Sequence, residues 1–114
     1  MARVKRGLVS HRKHKKLLSL TKGYRGTKSK LVKMAHEASL HAGEYAFAGR
    51  KNKKRNFRSL WITRISEAAK QNGISYSKLI AGLTKKEIKI DRKILSDLVL
   101  NDVETFKKIV DAAR

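Results

Sequence analysis

The chain has 114 residues, with 29 Lys and Arg against 9 Asp and Glu, a net charge of +20, no cysteine and no proline. That length allows one small domain, and a balance this basic points to a polyanionic partner; without cysteine there is no disulfide framework, thiolate metal site or cysteine nucleophile. No apolar run approaches twenty residues and the start lacks the apolar centre of a secretory signal, so secretion and membrane spanning are not expected and the cytoplasm is the default setting.

The charge is unevenly placed. Residues 1–58 carry 18 Lys and Arg against Glu37 and Glu44, net +16, whereas residues 59–114 carry 11 against 7, net +4. A segment that repels itself so strongly and holds few large apolar residues buries too little to offset its chain entropy, so residues 1–58 are expected to be extended or disordered without a partner and helical with one. An acid-poor, Arg-rich start also resembles an organelle transit peptide, but here the basic character runs through 58 residues, far beyond a removable leader.

In chain order, Ser10 is positioned to cap a first helix, in which only Leu17, Leu18 and Leu20 are candidates for burial. Lys22 to Thr27 places Gly23 and Gly26 around Tyr24 and Arg25, which predicts an elbow able to turn sharply or approach a phosphate. From Thr27 or Ser29 the positions Leu31, Met34, Ala35, Ala38, Ala42, Tyr45 and Ala46 recur at helical spacing, and no proline stops them. One helix is expected to run on to Asn72, on the order of 70 Å long, with its small-residue stripe lying against something.

Within that helix, Gly49 to Ile62 marks the change from charge to packing. Arg50, Lys51, Lys53, Lys54 and Arg55 are followed by Phe57 and Trp61, four apart and continued by Ile65 and Ala69, which assigns Trp61 to the core with Phe57 on its flank. Gly73 then predicts a left-handed helix end, with Ile74 folding back. Ser75 or Ser77 caps a helix bearing Leu79, Ile80 and Leu83; Asp91 caps one bearing Ile94, Leu95, Leu98 and Val99; Asn101 or Asp102 caps one bearing Phe106, Ile109 and Val110. With Trp61, Ile62 and Ile65 these close a four-helix core, and Ile88 to Ile90 reads as an extended connector. The predicted class is all-α, a long basic N-terminal helical extension (1–58) followed by a small C-terminal helical bundle (59–114).

Little here suggests catalysis. His11 and His14, and His36 and His41, lack the spacing and carboxylate support of a zinc helix, and seven of the nine acids lie in the C-terminal part, where Asp91 and Asp102 are better read as helix caps. No nucleophile motif or phosphate-cradling glycine loop appears, so the expectation is no enzyme, no metal, no cofactor and no small-molecule substrate. A basic arm with interleaved aromatics and glycines suits RNA instead. Cations neutralise phosphates, Tyr24, Tyr45 and Phe57 can stack on unpaired bases, and glycines admit the backbone closely. The candidate RNA-binding residues are Arg3, Lys5, Arg6, Arg12, Lys13, His14, Lys15, Lys16, Lys22, Tyr24, Arg25, Lys28, Lys30, Arg50, Lys51, Lys53, Lys54, Arg55 and Arg58. A DNA-binding regulatory protein is one rival. A binder of anionic membranes is another, disfavoured because the first helix has no segregated bulky apolar face.

The opening MARVKRG, the run HRKHKKLLSLTKGYRGTKSKL, the junction RKNKKRNFRSLWITRI, and NGISYSKLIAGL and IDRKILSDLVLND, in that order, resemble the bacterial large-subunit ribosomal protein L20 family over nearly the whole chain. The resemblance implies a basic helical extension threaded into 23S ribosomal RNA, a globular helical domain at the subunit's outer side, neighbouring large-subunit proteins as partners and a role in early subunit assembly. In some members it also implies translational repression through their own messenger RNA. It leaves a cytoplasmic or an organelle ribosome open. Where such proteins usually have a glycine ending the second C-terminal helix and a proline after the last helix's capping aspartate, this chain has Glu87 and Val103. Thr84 to Glu87 then reads as a capping box that starts a new helical turn, while Asp102 is expected to hold the last helix without the proline.

Overall fold

The computed structural model describes residues 7–114, which form five α-helices joined by short connections. They are α1 (Gly7–Leu20), α2 (Val32–Gln71), α3 (Tyr76–Lys85), α4 (Arg92–Asn101) and α5 (Val103–Ala113), with a 3-10 turn at Gly26–Ser29; no strand occurs among the described residues. The all-α class and the long basic helix followed by a smaller helical domain are as the sequence predicts. By compactness the chain divides into two units, Met1–Lys51 and Asn52–Arg114.

In the first unit α1 begins at Gly7, so Ser10 lies inside the helix and does not cap it. No residue of α1 is buried; Leu17 and Leu18 are half-buried and Leu20 is exposed. The elbow is present. Gly23 and Gly26 hold φ of +86° and +66°, and a Cβ at either would meet nothing within 4 Å, so glycine is needed there for the backbone and not for space. Thr21 is fully buried at its start and its carbonyl accepts from the Tyr24 N–H at 3.1 Å. The 3-10 turn delays α2 to Val32, later than the Thr27 or Ser29 start the periodicity suggests. Of the small-residue stripe only Ala35 is buried, Met34 and Ala38 are half-buried, and Leu31, Ala42, Tyr45 and Ala46 are exposed. Helical spacing records which residues share a face, not whether anything covers it.

The second unit is built around one core. Ile65, Ala68 and Ala69 of α2, Leu79 and Leu83 of α3, Leu95 of α4, and Phe106, Val110 and Ala113 of α5 are buried together, and α5 packs on both α3 and α4. Removing a side chain the size of Phe106 or Leu79 from water is worth about 1.5–3 kcal/mol, and both are fully buried. Trp61 is not part of this core: it is half-buried, Phe57 is 45% exposed, and Ile94 is exposed on the outer side of α4. Ser96 is buried with its hydroxyl unpartnered, a local cost of about 1–3 kcal/mol.

The helix ends follow their local chemistry. At the end of α2, Gly73 has φ +75°, its N–H donates to the Lys70 carbonyl and the Ile74 N–H to the Ala69 carbonyl, which tucks Ile74 against the core. Ser75 caps α3 by accepting from the Lys78 N–H at 3.4 Å, and Asp102 caps α5 by accepting from the Thr105 N–H at 3.0 Å. Bonds from the Thr105 hydroxyl and then the Thr105 N–H hold the Asp102 carboxyl below its ordinary pKa. Asp91 occupies the cap position of α4 with no side-chain bond, and Asn101 ends α4 without capping α5. No helix starts at Thr84. α3 runs through it, its hydroxyl donates to the Ile80 carbonyl, and Glu87 takes a left-handed φ of +56° while the Ile88 N–H reaches back to the Leu83 carbonyl. Residues 88–90, expected to form an extended connector, lie in neither helix nor strand, and α5 keeps its capped start with Val103 in place of proline.

Candidate nucleic-acid interface

Arg3, Lys5 and Arg6 lie outside the described residues. Arg12, Lys13, His14, Lys15 and Lys16 are all exposed at five consecutive positions of α1. Successive residues step about 100° around a helix, so these five encircle it and α1 presents basic side chains, four of them Lys or Arg, around its circumference. On one side His11, His14 and Lys15 line a surface hollow over Leu18. Around the elbow Lys22, Tyr24, Arg25, Lys28 and Lys30 are exposed, and the left-handed glycines on either side of Tyr24 and Arg25 hold that pair out on a turn.

In the first unit's part of α2, Arg50 and Lys51 are exposed, and the Lys51 ammonium sits 4.5 Å from the centre of the Phe47 ring, which is 55% exposed. Tyr45 is 74% exposed and its ring lies stacked near that of His41 with centres 6.4 Å apart. In the second unit Lys53, Lys54, Arg55 and Arg58 are exposed at the beginning of its α2 segment. Phe57 and Trp61 face each other there, ring centres 6.1 Å apart and tilted by 32°.

The ion pairs among the described residues join His41 to Glu44, Lys70 to Glu67 and Arg114 to Asp111; none involves a predicted RNA-binding cation. Among the described residues those cations have no internal counterion. Sequence reasoning did not single out Phe47, whose signal was a lysine four residues on. It also passed over Lys78, Lys85, Lys86 and Arg114, which line one open groove of the second unit beside Gly82 and Ala113. Two helices bring them together, and linear spacing offers only Lys78 and Lys85, seven apart on α3. Among the described residues no group of three or more His, Asp or Glu is arranged to hold a metal, and no helix is long and apolar enough to cross a membrane.

The sequence profile of the family described as Ribosomal protein L20 matches residues 3–109. The protein named large ribosomal subunit protein bL20 from Marinobacter nauticus (strain ATCC 700491 / DSM 11845 / VT8) is 51% identical over 114 residues, covering 100% of this chain and 97% of that protein. With that family match over nearly its whole length and these unpaired cations, the chain belongs to the ribosomal protein L20 family, whose members are structural proteins of the ribosome and not enzymes.

Proposed function

We propose that the chain is a structural constituent of the large ribosomal subunit in the cytoplasm, that it binds 23S ribosomal RNA directly and that it supports early assembly of that subunit. Residues 1–58 act as the basic extension that enters the RNA, and residues 59–114 as the folded RNA-binding domain. The observation that carries this is the ring of exposed, unpaired cations around α1 and along α2. A helix with basic side chains around its whole circumference has no single basic face to lay on a flat partner; it suits a crevice walled by phosphates.

Each ammonium or guanidinium that meets a phosphate releases condensed counterions, so attachment is strong at low salt and weak at high salt. Tyr24, Tyr45, Phe47 and Phe57 offer exposed rings to unpaired bases, and the Phe47 ring already carries a cation on its face. The folded domain holds its polar groups in a fixed pattern and supplies preference for one RNA shape. Neighbouring large-subunit proteins are the other partners. A messenger presenting the same shape would compete for the folded domain, which gives repression of the chain's own translation a physical basis.

The test compares the full chain's affinity for a 23S ribosomal RNA transcript and for duplex DNA of matched length at equal salt. Preference for the RNA is expected. Equal affinity would favour the DNA-binding reading, and binding to anionic vesicles in preference to both would favour the membrane reading.

A further inference from the structure

We infer that the groove between α3 and the end of α5 is the place where the folded unit holds an RNA phosphate backbone. This rests on the RNA-binding reading above and adds a site to it. The groove carries Lys78, Lys85, Lys86 and Arg114, and no acidic residue lines it. Residues 59–114 hold 11 Lys and Arg and 7 Asp and Glu, an excess of four. Four of its cations are gathered at one place, one of them, Arg114, beside Asp111.

The parts differ in what they are free to do. Arg114 is engaged from two sides: one guanidinium nitrogen donates to the Asn72 carbonyl, and another lies 3.5 Å from Asp111. It serves as a fixed wall. No described carboxylate pairs with Lys78, Lys85 or Lys86, and all three are exposed. Lys78 and Lys85 stand seven residues apart on one face of α3, a rise of about 10 Å, so their ammonium groups can reach different phosphates of one strand. Between them the floor is made by Gly82 and Ala113, where α3 and α5 meet backbone to backbone. Gly73, Ile74 and Ala81 complete the lining, so the cations stand around an uncharged floor.

Lys85 and Lys86 also lie at the C-terminal end of α3, where cations favour the helix dipole, and the test separates that role from RNA contact. The full chain is compared with a Lys85→Gln, Lys86→Gln variant and with a charge-matched Lys107→Gln, Lys108→Gln variant on the exposed side of α5. For each, affinity for a 23S ribosomal RNA transcript is measured across salt concentrations, alongside thermal melting. The groove pair should weaken binding by roughly tenfold or more at 0.1 M salt, flatten the plot of log affinity against log salt by about 1.4–1.8, and stay folded at the assay temperature. The α5 pair should change both readouts far less. Equal effects of the two pairs, no effect of the groove pair, or loss of binding explained by melting would overturn the groove assignment while the RNA reading stands. If the unsubstituted chain prefers this RNA no more than duplex DNA, the RNA reading itself falls and the groove with it.

Discussion

Gly82 of α3 lies so close to Ala113 of α5 that a Cβ built on it would stand 2.0 Å from the Ala113 carbonyl oxygen and 3.3 Å from the Ala113 Cβ. The atom in the way is backbone, so it cannot swing aside as a side-chain tip would. In an open helix, Gly to Ala gains about 1 kcal/mol. Here it must push α5 off α3, whose shared core includes Leu79, Leu83, Phe106 and Val110. Gly82→Ala should therefore lower stability by about 1–3 kcal/mol in urea unfolding, and a gain would contradict the backbone contact.

Glu87 presents the opposite case, a side chain where glycine suits the backbone. Its φ of +56° places it at the left-handed position ending α3, where the Glu87 N–H bonds to the Thr84 carbonyl and the Ile88 N–H to the Leu83 carbonyl. A Cβ in that conformation costs about 1 kcal/mol or somewhat more, offset in part by the entropy glycine adds to the unfolded chain. Glu87→Gly should raise the melting temperature, with a gain of up to about 1 kcal/mol, and Glu87→Val should lower it. If both changes lower it equally, the left-handed turn is not formed.

Asp102 links the start of α5 to pH. Hydrogen bonds from the Thr105 hydroxyl and the Thr105 N–H, aided by the nearby Lys108, hold its carboxyl below the ordinary 3.8. Because the folded pKa is depressed, the stabilisation is fully present above the unfolded value and fades as pH falls through the folded one. Thermal stability should thus decline on acidification below about pH 4, and Asp102→Ala should lose stability at neutral pH and show a smaller acid-induced decline. An unchanged acid response in the variant would show that other carboxylates carry the effect.

The first helix should depend on its partner. α1 has 14 residues, none of them buried, and five consecutive basic positions repel one another along it. Isolated helices of this length are marginal in water even without such repulsion. Amide hydrogen exchange in the free chain should be fast across residues 7–20 and slow in the core segments of α3 and α5, and adding 23S ribosomal RNA should protect 7–20. Strong protection of α1 in the free chain would contradict this.

Much of the second unit was legible because its signals are local. Gly73 marks the end of α2, Ser75 and Asp102 mark two starts, and the spacing of Leu79 with Leu83 and of Phe106 with Val110 identifies faces that are indeed buried. Spacing alone cannot show that Trp61 stands outside the core. It shares a helix side with Phe57 and Ile65, but the other helices cover only the Ile65 end. Thr84 to Glu87 has the residue types of a capping box, yet the same stretch closes α3, because Ile88 can turn back onto the core and a helix start there could not use it. The cations of the arm could be read from composition alone. Those of the groove could not, since Arg114 meets Lys78, Lys85 and Lys86 only after α5 has packed on α3.

A basic extension and a folded domain together hold this chain to one region of ribosomal RNA in the function proposed above. Crosslinking the chain to RNA in living cells, then sequencing the RNA fragments and mapping the crosslinked peptides, tests it most directly. The fragments should concentrate in one region of 23S ribosomal RNA and be joined to peptides from both 1–58 and 59–114. Crosslinks scattered over unrelated RNAs, or confined to 1–58 with none from the folded domain, would contradict it.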